Sequence, residues 1–159
     1  MVNPLTIRGA DIDKQELQPA DFATLAEFRY ALRRFTVFSE AEAHAQGLSP
    51  QQHQALLTIK GSGNPALTVG ELAERLCIKH HSAVELISRL VRMGMVERAV
   101  DPDDARRVRV SLTAAGEAKL RALSAVHLEQ LRLIGPLLIK LIDKFGPRNT
   151  VKKRPSDGR

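Results

Sequence analysis

The 159-residue chain has no tryptophan, one tyrosine and one cysteine, and aromatic residues make up only 4% of it. So few aromatics argue against a platform for single-stranded nucleic acid, which needs exposed rings for bases to stack on. The core must instead come from Leu, Ile, Val and Ala, which suits packed helices, and hydrophobic residues at 43% suffice for one. A lone Cys77 cannot build a disulfide framework within the chain, so a reducing, cytoplasmic setting is expected. The opening MVNPLTIRGADIDKQ holds no apolar run fit for a signal peptide. The stretch Leu137–Ile142 is too short and interrupted to span a bilayer, so no membrane partner is expected. Also missing are a glycine-rich phosphate loop, a Ser-x-x-Lys and a carboxylate pair in an apolar setting. No enzyme and no cofactor are therefore expected. His80 and His81 with His44, His53 or His127 are candidate zinc ligands, but adjacent histidines project in different directions on a helix. No Cys or His pair has a metal-ligand spacing, and no metal is expected.

What is present is positive charge, unevenly placed. The net charge is +6. Residues 75–109 carry eight basic and five acidic side chains, and residues 148–159 carry five basic side chains against one Asp. The first 47 residues are net negative. Basic charge thus collects in one internal segment and in a tail expected to be disordered, as a phosphate-binding surface requires.

The periodicities predict a mainly α protein with one small β-hairpin. Residues 1–20 read as an irregular arm. Asp21 reads as an N-cap, followed by a helix to about Gln46 with a stripe of Phe22, Leu25, Phe28, Leu32, Phe35 and Phe38. Gly47 closes it. Ser49-Pro50 opens a second helix with Ala55, Leu56 and Ile59 inward. Thr68 and Glu71 form a capping box for a short helix Val69–Leu76. After Cys77–Lys79, where a small buried residue is expected at Cys77, a helix runs from His80 to Met93. Its apolar positions Ala83, Leu86, Ile87 and Leu90, supplemented by Val84 and Val91, form a buried face. Val96–Val100 and Val108–Leu112 flank a polar loop beginning Asp101-Pro102 and read as a hairpin. Thr113 caps a helix to about Ile134, Gly135-Pro136 breaks it, and a last helix Leu137–Phe145 follows.

A short helix pair followed by an arginine-tipped hairpin is the layout of a winged helix-turn-helix. The polar face of the helix 80–93 begins with Lys79, His80, His81, Ser82 and Glu85, with Arg89 one turn on. A helix entering the major groove presents its N-terminal side chains to base edges. Lys and His can donate to guanine, Ser can bond either partner, and Glu can accept from cytosine N4. Arg106, Arg107 and Arg109 of the hairpin are placed to reach outward. These nine residues are the candidate DNA-binding set.

The stretch Leu67–Gly116 resembles the MarR family of bacterial winged helix-turn-helix regulators. The specific match is Asp101-Pro102-x-Asp104-x-Arg106, then Val110-x-Leu112-Thr113-x-x-Gly116. The resemblance implies residues 48–112 as the DNA-binding domain, with residues 21–47 and 113–147 as a helical dimerisation region. It further implies a homodimer on a pseudo-palindromic double-stranded operator, with the helix 80–93 in the major groove and Arg106 in the minor groove. The implied activity is a repressor released by a small phenolic or anionic effector bound between dimerisation helices and winged domain. Two residues depart from the family pattern. Ser88 stands where the family often has an acidic residue holding the wing arginine, and Glu85 stands where it usually has a basic or small polar one. These departures are compatible with a rival reading, a winged-helix protein-interaction module that has lost DNA binding.

Overall fold

A computed structural model describes residues 17–63, 66–102 and 104–144. The arm before residue 17, the end of the expected last helix at Phe145 and the basic tail lie outside the described residues.

Helix α1 spans Pro19–Ala45. Asp21 is not its N-cap. Gln18 holds that position, Pro19 starts the helix with φ already suitable, and the Asp21 carboxylate accepts from the Gln18 N–H at 2.8 Å. The apolar stripe also divides: Phe22, Leu25 and Leu32 are exposed, while Phe35 and Phe38 turn inward onto His127. Helix α2, Pro50–Gly61, begins at Ser49 with a reciprocal box to Gln52. It buries His53, Ala55, Leu56 and Ile59.

Two residues of extended chain, strand β1 at Leu67–Thr68, precede helix α3 at Val69–Arg75. Helix α4 covers His80–Arg92. Cys77, in the turn between α3 and α4, is exposed rather than buried. Its φ of 53° is left-handed, which reverses the chain and turns its side chain out of the core. Ala83, Leu86, Ile87 and Leu90 of α4 are buried as expected, whereas Val84 and Val91 lie at the edge of that face and are exposed.

Strands β2 (Val96–Val100) and β3 (Val108–Leu112) pair antiparallel from Val96↔Leu112 to Val100↔Val108. The hairpin is two strands of a three-stranded sheet. β1 adds to the other edge of β3 through Leu67↔Val110 and Thr68↔Arg109, a pairing too short to announce itself in sequence.

Helix α5 runs unbroken from Ala114 to Asp143, through Gly135-Pro136. The expected break is absent because Leu120, Leu123 and His127 on one side of the proline and Leu141 on the other are all buried along the same helix. That packing offsets the one hydrogen bond the proline removes. Because it is continuous, α5 is long and apolar enough to cross a membrane by length and composition, contrary to the sequence reading, although little of its apolar segment is buried.

The core is one cluster. It joins Leu56 and Ile59 of α2, Leu72 of α3, Ile87 and Leu90 of α4, Val96 and Val110 of the sheet, and Leu120 and Leu123 of α5. This core fixes α4 and the hairpin as one unit, while α1 packs on α5 and α2 outside the sheet.

Candidate nucleic-acid interface

The first turn of α4 is open. Lys79 is its N-cap in extended conformation, and no side chain caps the free N–H groups. His80 and His81 are exposed and Ser82 is half-buried. An uncapped helix start with donor side chains favours an anion or an acceptor-rich base edge. One turn on, the Glu85 carboxylate lies 3.6 Å from Arg89, both side chains being largely exposed. Glu85 is thus partnered within its own helix, a pairing weak enough in water to open on contact with another ligand.

The hairpin loop is closed from within. The Asp101 N–H donates to the Arg107 carbonyl at 3.0 Å, and the Arg107 N–H donates to that of Asp104 at 2.9 Å. The Asp104 carboxylate accepts from the Arg106 N–H at 3.0 Å and from its Nε at 3.2 Å, and lies 3.6 Å from Arg107 Nε. Arg106 stands at the tip with its side chain 91% exposed. Arg109 does not reach outward. Its Nε donates at 2.7 Å to the Asp101 carboxylate, which is 3% exposed, so it anchors the base of the loop. Charge-assisted bonds of this kind are short and orienting.

Arg98 on β2 escaped the sequence reading. Its Nη2 donates to Ser88 Oγ at 2.7 Å and to the Val84 carbonyl at 3.3 Å, tying the hairpin to α4. Ser88 itself donates back to the Val84 carbonyl at 2.7 Å. Where an acidic residue would have made an ion pair, a hydroxyl holds a different arginine. Alternation places Val96, Arg98 and Val100 on one face of β2, but Arg98 and Val100 are exposed, so the strand pattern alone carried no signal for the Ser88 contact.

Between the start of α3, the start of α4 and the hairpin lies an open recess of about 570 Å³. His80 and Val84 form one wall and Arg98, Arg106 and Arg107 another. Glu71 also lines it, exposed, with its carboxyl held below the usual range, first by the Thr68 N–H, then by the Thr68 hydroxyl, and further by Arg107 and Arg109. The structure thus brings His80, Arg106 and Arg107 to one concavity and adds Arg98.

Among the described residues no group of three His, Cys, Asp or Glu side chains could hold a metal. His53 and His127 do meet, with ring centroids 4.7 Å apart, at the junction of α1, α2 and α5 and not beside His80. A second, smaller cavity lies between α1 and the winged domain.

Comparison with known proteins matches residues 46–107 to the model of the MarR family. An uncharacterized HTH-type transcriptional regulator of Bacillus subtilis, YcgE, is 36% identical over 89 residues, 55% of this chain and 56% of that protein. The chain therefore spans about half the length of the curated relatives it matches. Among solved structures, AbsC, a MarR family transcriptional regulator from Streptomyces coelicolor, superposes with a TM-score of 0.67 at 19% identity, over 83% of this chain and 93% of that one. A point mutant of S. aureus MepR bound to an oligodeoxyribonucleotide superposes with a TM-score of 0.61 at 19% identity, covering 82% and 99%. At these identities the two structures establish the fold.

Proposed function

We propose, from the match of residues 46–107 to the MarR family, that the chain is a homodimeric transcriptional regulator that binds double-stranded DNA, represses, and is released by a small molecule. The observation that carries this reading is the recess. The uncapped start of α4 and the exposed Arg106 flank one concavity, the placement that a recognition helix and its wing require. The DNA-bound structure of the MepR mutant supports the same placement by its fold.

In this reading Lys79, His80, His81 and Ser82 meet base edges, and Glu85 exchanges Arg89 for a cytosine N4. Arg89, once released, turns to a phosphate. Arg106 enters the minor groove and Arg107 contacts the backbone. Arg109 acts through Asp101 by holding the loop in register, and Arg98 does the same through Ser88. Two copies joined through the exposed apolar faces of α1 and α5 set two α4 helices about 34 Å apart on a pseudo-palindromic operator. An effector between α1 and the winged domain shifts that spacing only by its differential affinity for the two arrangements.

The test is DNA affinity against salt. Wild type is expected to lose affinity steeply as salt rises, and Arg106→Ala is expected to lower the slope by about one unit per subunit. A protein that binds no duplex DNA at low salt would leave the protein-interaction module as the better reading.

A further inference from the structure

The smaller cavity, about 180 Å³, is half-open and lined on its apolar side by Phe35 of α1, Pro50 of α2, Leu76 and Ile78 of the turn and Leu86 of α4. It is below the ~300 Å³ typical of drug-sized ligands, which limits its occupant to a fragment of about one ring. The polar groups that α1 presents to it are Thr36, Ser39 and Glu40. Each is an acceptor on that side.

Thr36 Oγ1 donates its hydrogen to the Leu32 carbonyl at 3.0 Å, leaving its lone pairs. Ser39 is fixed by His127. The ring's Nδ1 lies 2.7 Å from the Leu123 carbonyl, which only accepts, so Nδ1 carries a proton. Nε2 lies 2.7 Å from Ser39 Oγ, and in the tautomer with its one proton on Nδ1 it accepts from that hydroxyl and leaves the oxygen's lone pairs. Glu40 is a carboxylate, and no lysine, arginine or histidine among the described residues forms an ion pair with it. Gln51 and Gln54, the remaining polar lining, can turn either end of their amides inward. Among the described residues no cationic side chain lines the cavity. Arg29 and Arg33 of α1 line a neighbouring open recess, which shares Thr36 and Glu40 with this one.

We propose that this cavity binds a small hydrophobic amine in its ammonium form, and not the phenolic or anionic effector that the family resemblance implied. An ammonium brings a positive charge and up to three donors to three acceptors, while its carbon skeleton covers Phe35, Leu76 and Leu86. A carboxylate in the same place faces Glu40 and two oxygen lone pairs, with only glutamine amides to bond it. Burying a charge without partners is unfavourable. The regulatory meaning of such binding rests on the effector reading above; the binding itself does not.

The experiment uses the full chain without DNA and three probes of one shape: benzylamine, benzyl alcohol and benzoate, titrated calorimetrically. Benzylamine is expected to bind tightest. Glu40→Gln is expected to weaken it about threefold, a modest factor because Glu40 is solvent-exposed. Glu40→Lys, at an exposed site that tolerates it, is expected to reverse the preference toward benzoate. Benzoate binding as tightly as benzylamine to wild type overturns the proposal. So does the absence of binding by all three at about millimolar concentration, or an unchanged preference in Glu40→Lys. Duplex-DNA affinity with and without benzylamine is measured separately. Amine binding that leaves DNA affinity unchanged supports the site and removes only the effector role, and failure to bind DNA removes the regulator reading without touching the calorimetry.

Discussion

Gly116 shows what a single residue decides. The start of α5 is wedged against the turn between α4 and β2. The Thr113 N–H donates to the Met95 carbonyl at 3.1 Å, its hydroxyl donates to that of Gly94 at 2.7 Å, and the same oxygen accepts from the Gly116 N–H at 3.0 Å. A methyl group on Gly116 would stand 2.0 Å from the Met95 carbonyl oxygen. Neither side can yield cheaply, since both are backbone held by those bonds. Gly116→Ala is expected to destabilise the fold by about 2–3 kcal/mol, the scale of overpacking a tight site. Thermal unfolding checks this against Gly61→Ala, where nothing lies within 4 Å and the change is expected to be neutral or slightly stabilising. Equal melting temperatures for the two variants would show that the α5 start is free to move. The glycine in the Leu-Thr-x-x-Gly pattern is therefore a packing residue, although it stands beside the arginine-tipped hairpin.

At the scale of elements, what the sequence shows and what it hides divide by range. The N-cap at Ser49, the capping box at Thr68, the buried Ala83, Leu86, Ile87 and Leu90 of α4 and the hairpin are written in neighbouring residues, and all are present. The unbroken α5 is not, because Pro136 is a local signal and its compensation, burial of Leu141 on the far side, is a tertiary one. The same holds for β1, which exists only as a partner of β3, and for Arg98, whose Ser88 contact joins residues ten apart. His53 of α2 and His127 of α5 are 74 positions apart in sequence yet share one packing site. Burial, and then the nearby His127, lower the His53 pKa from its ordinary 6.5. The unfolded ring takes up a proton near that value while the folded ring resists it. In the window below 6.5 the unfolded state binds more protons, so this contribution to stability is complete above 6.5 and drains as pH falls. Melting temperature is expected to drop from about pH 7.5 to about pH 5.5, and His53→Gln is expected to flatten that dependence whatever its effect at neutral pH. A variant as pH-sensitive as wild type would place the titration elsewhere.

For the whole molecule, the decisive feature is surface that one chain leaves uncovered. Phe22, Tyr30 and Val37 of α1 are each more than half exposed, and so are Leu128, Leu133, Ile139 and Ile142 of α5. Exposed apolar area on this scale marks an interface. A bilayer is one cover for an apolar helix of this length, but α5 carries Glu129 and Arg132, paired at 3.0 Å, among those side chains, and its other face packs on α1. A second copy would cover both helices at once, as the proposed homodimer requires. Sedimentation at micromolar concentration is expected to find a homodimer, and its interface to bury more than about 2,000 Å² in total. Leu133→Asp with Ile139→Asp places two carboxylates in that interface and is expected to yield monomers. Both residues lie outside the core that holds α4 and the hairpin together, so the monomer's winged domain should stay folded. Its affinity for a single half-site should then persist while affinity for the two-fold operator collapses, because the second recognition helix no longer arrives tethered to the first. A variant that sediments as a monomer yet binds the full operator as wild type does would show that pairing of subunits contributes nothing to recognition. A wild type that is itself monomeric, or that partitions into lipid vesicles, would assign the apolar faces to another partner.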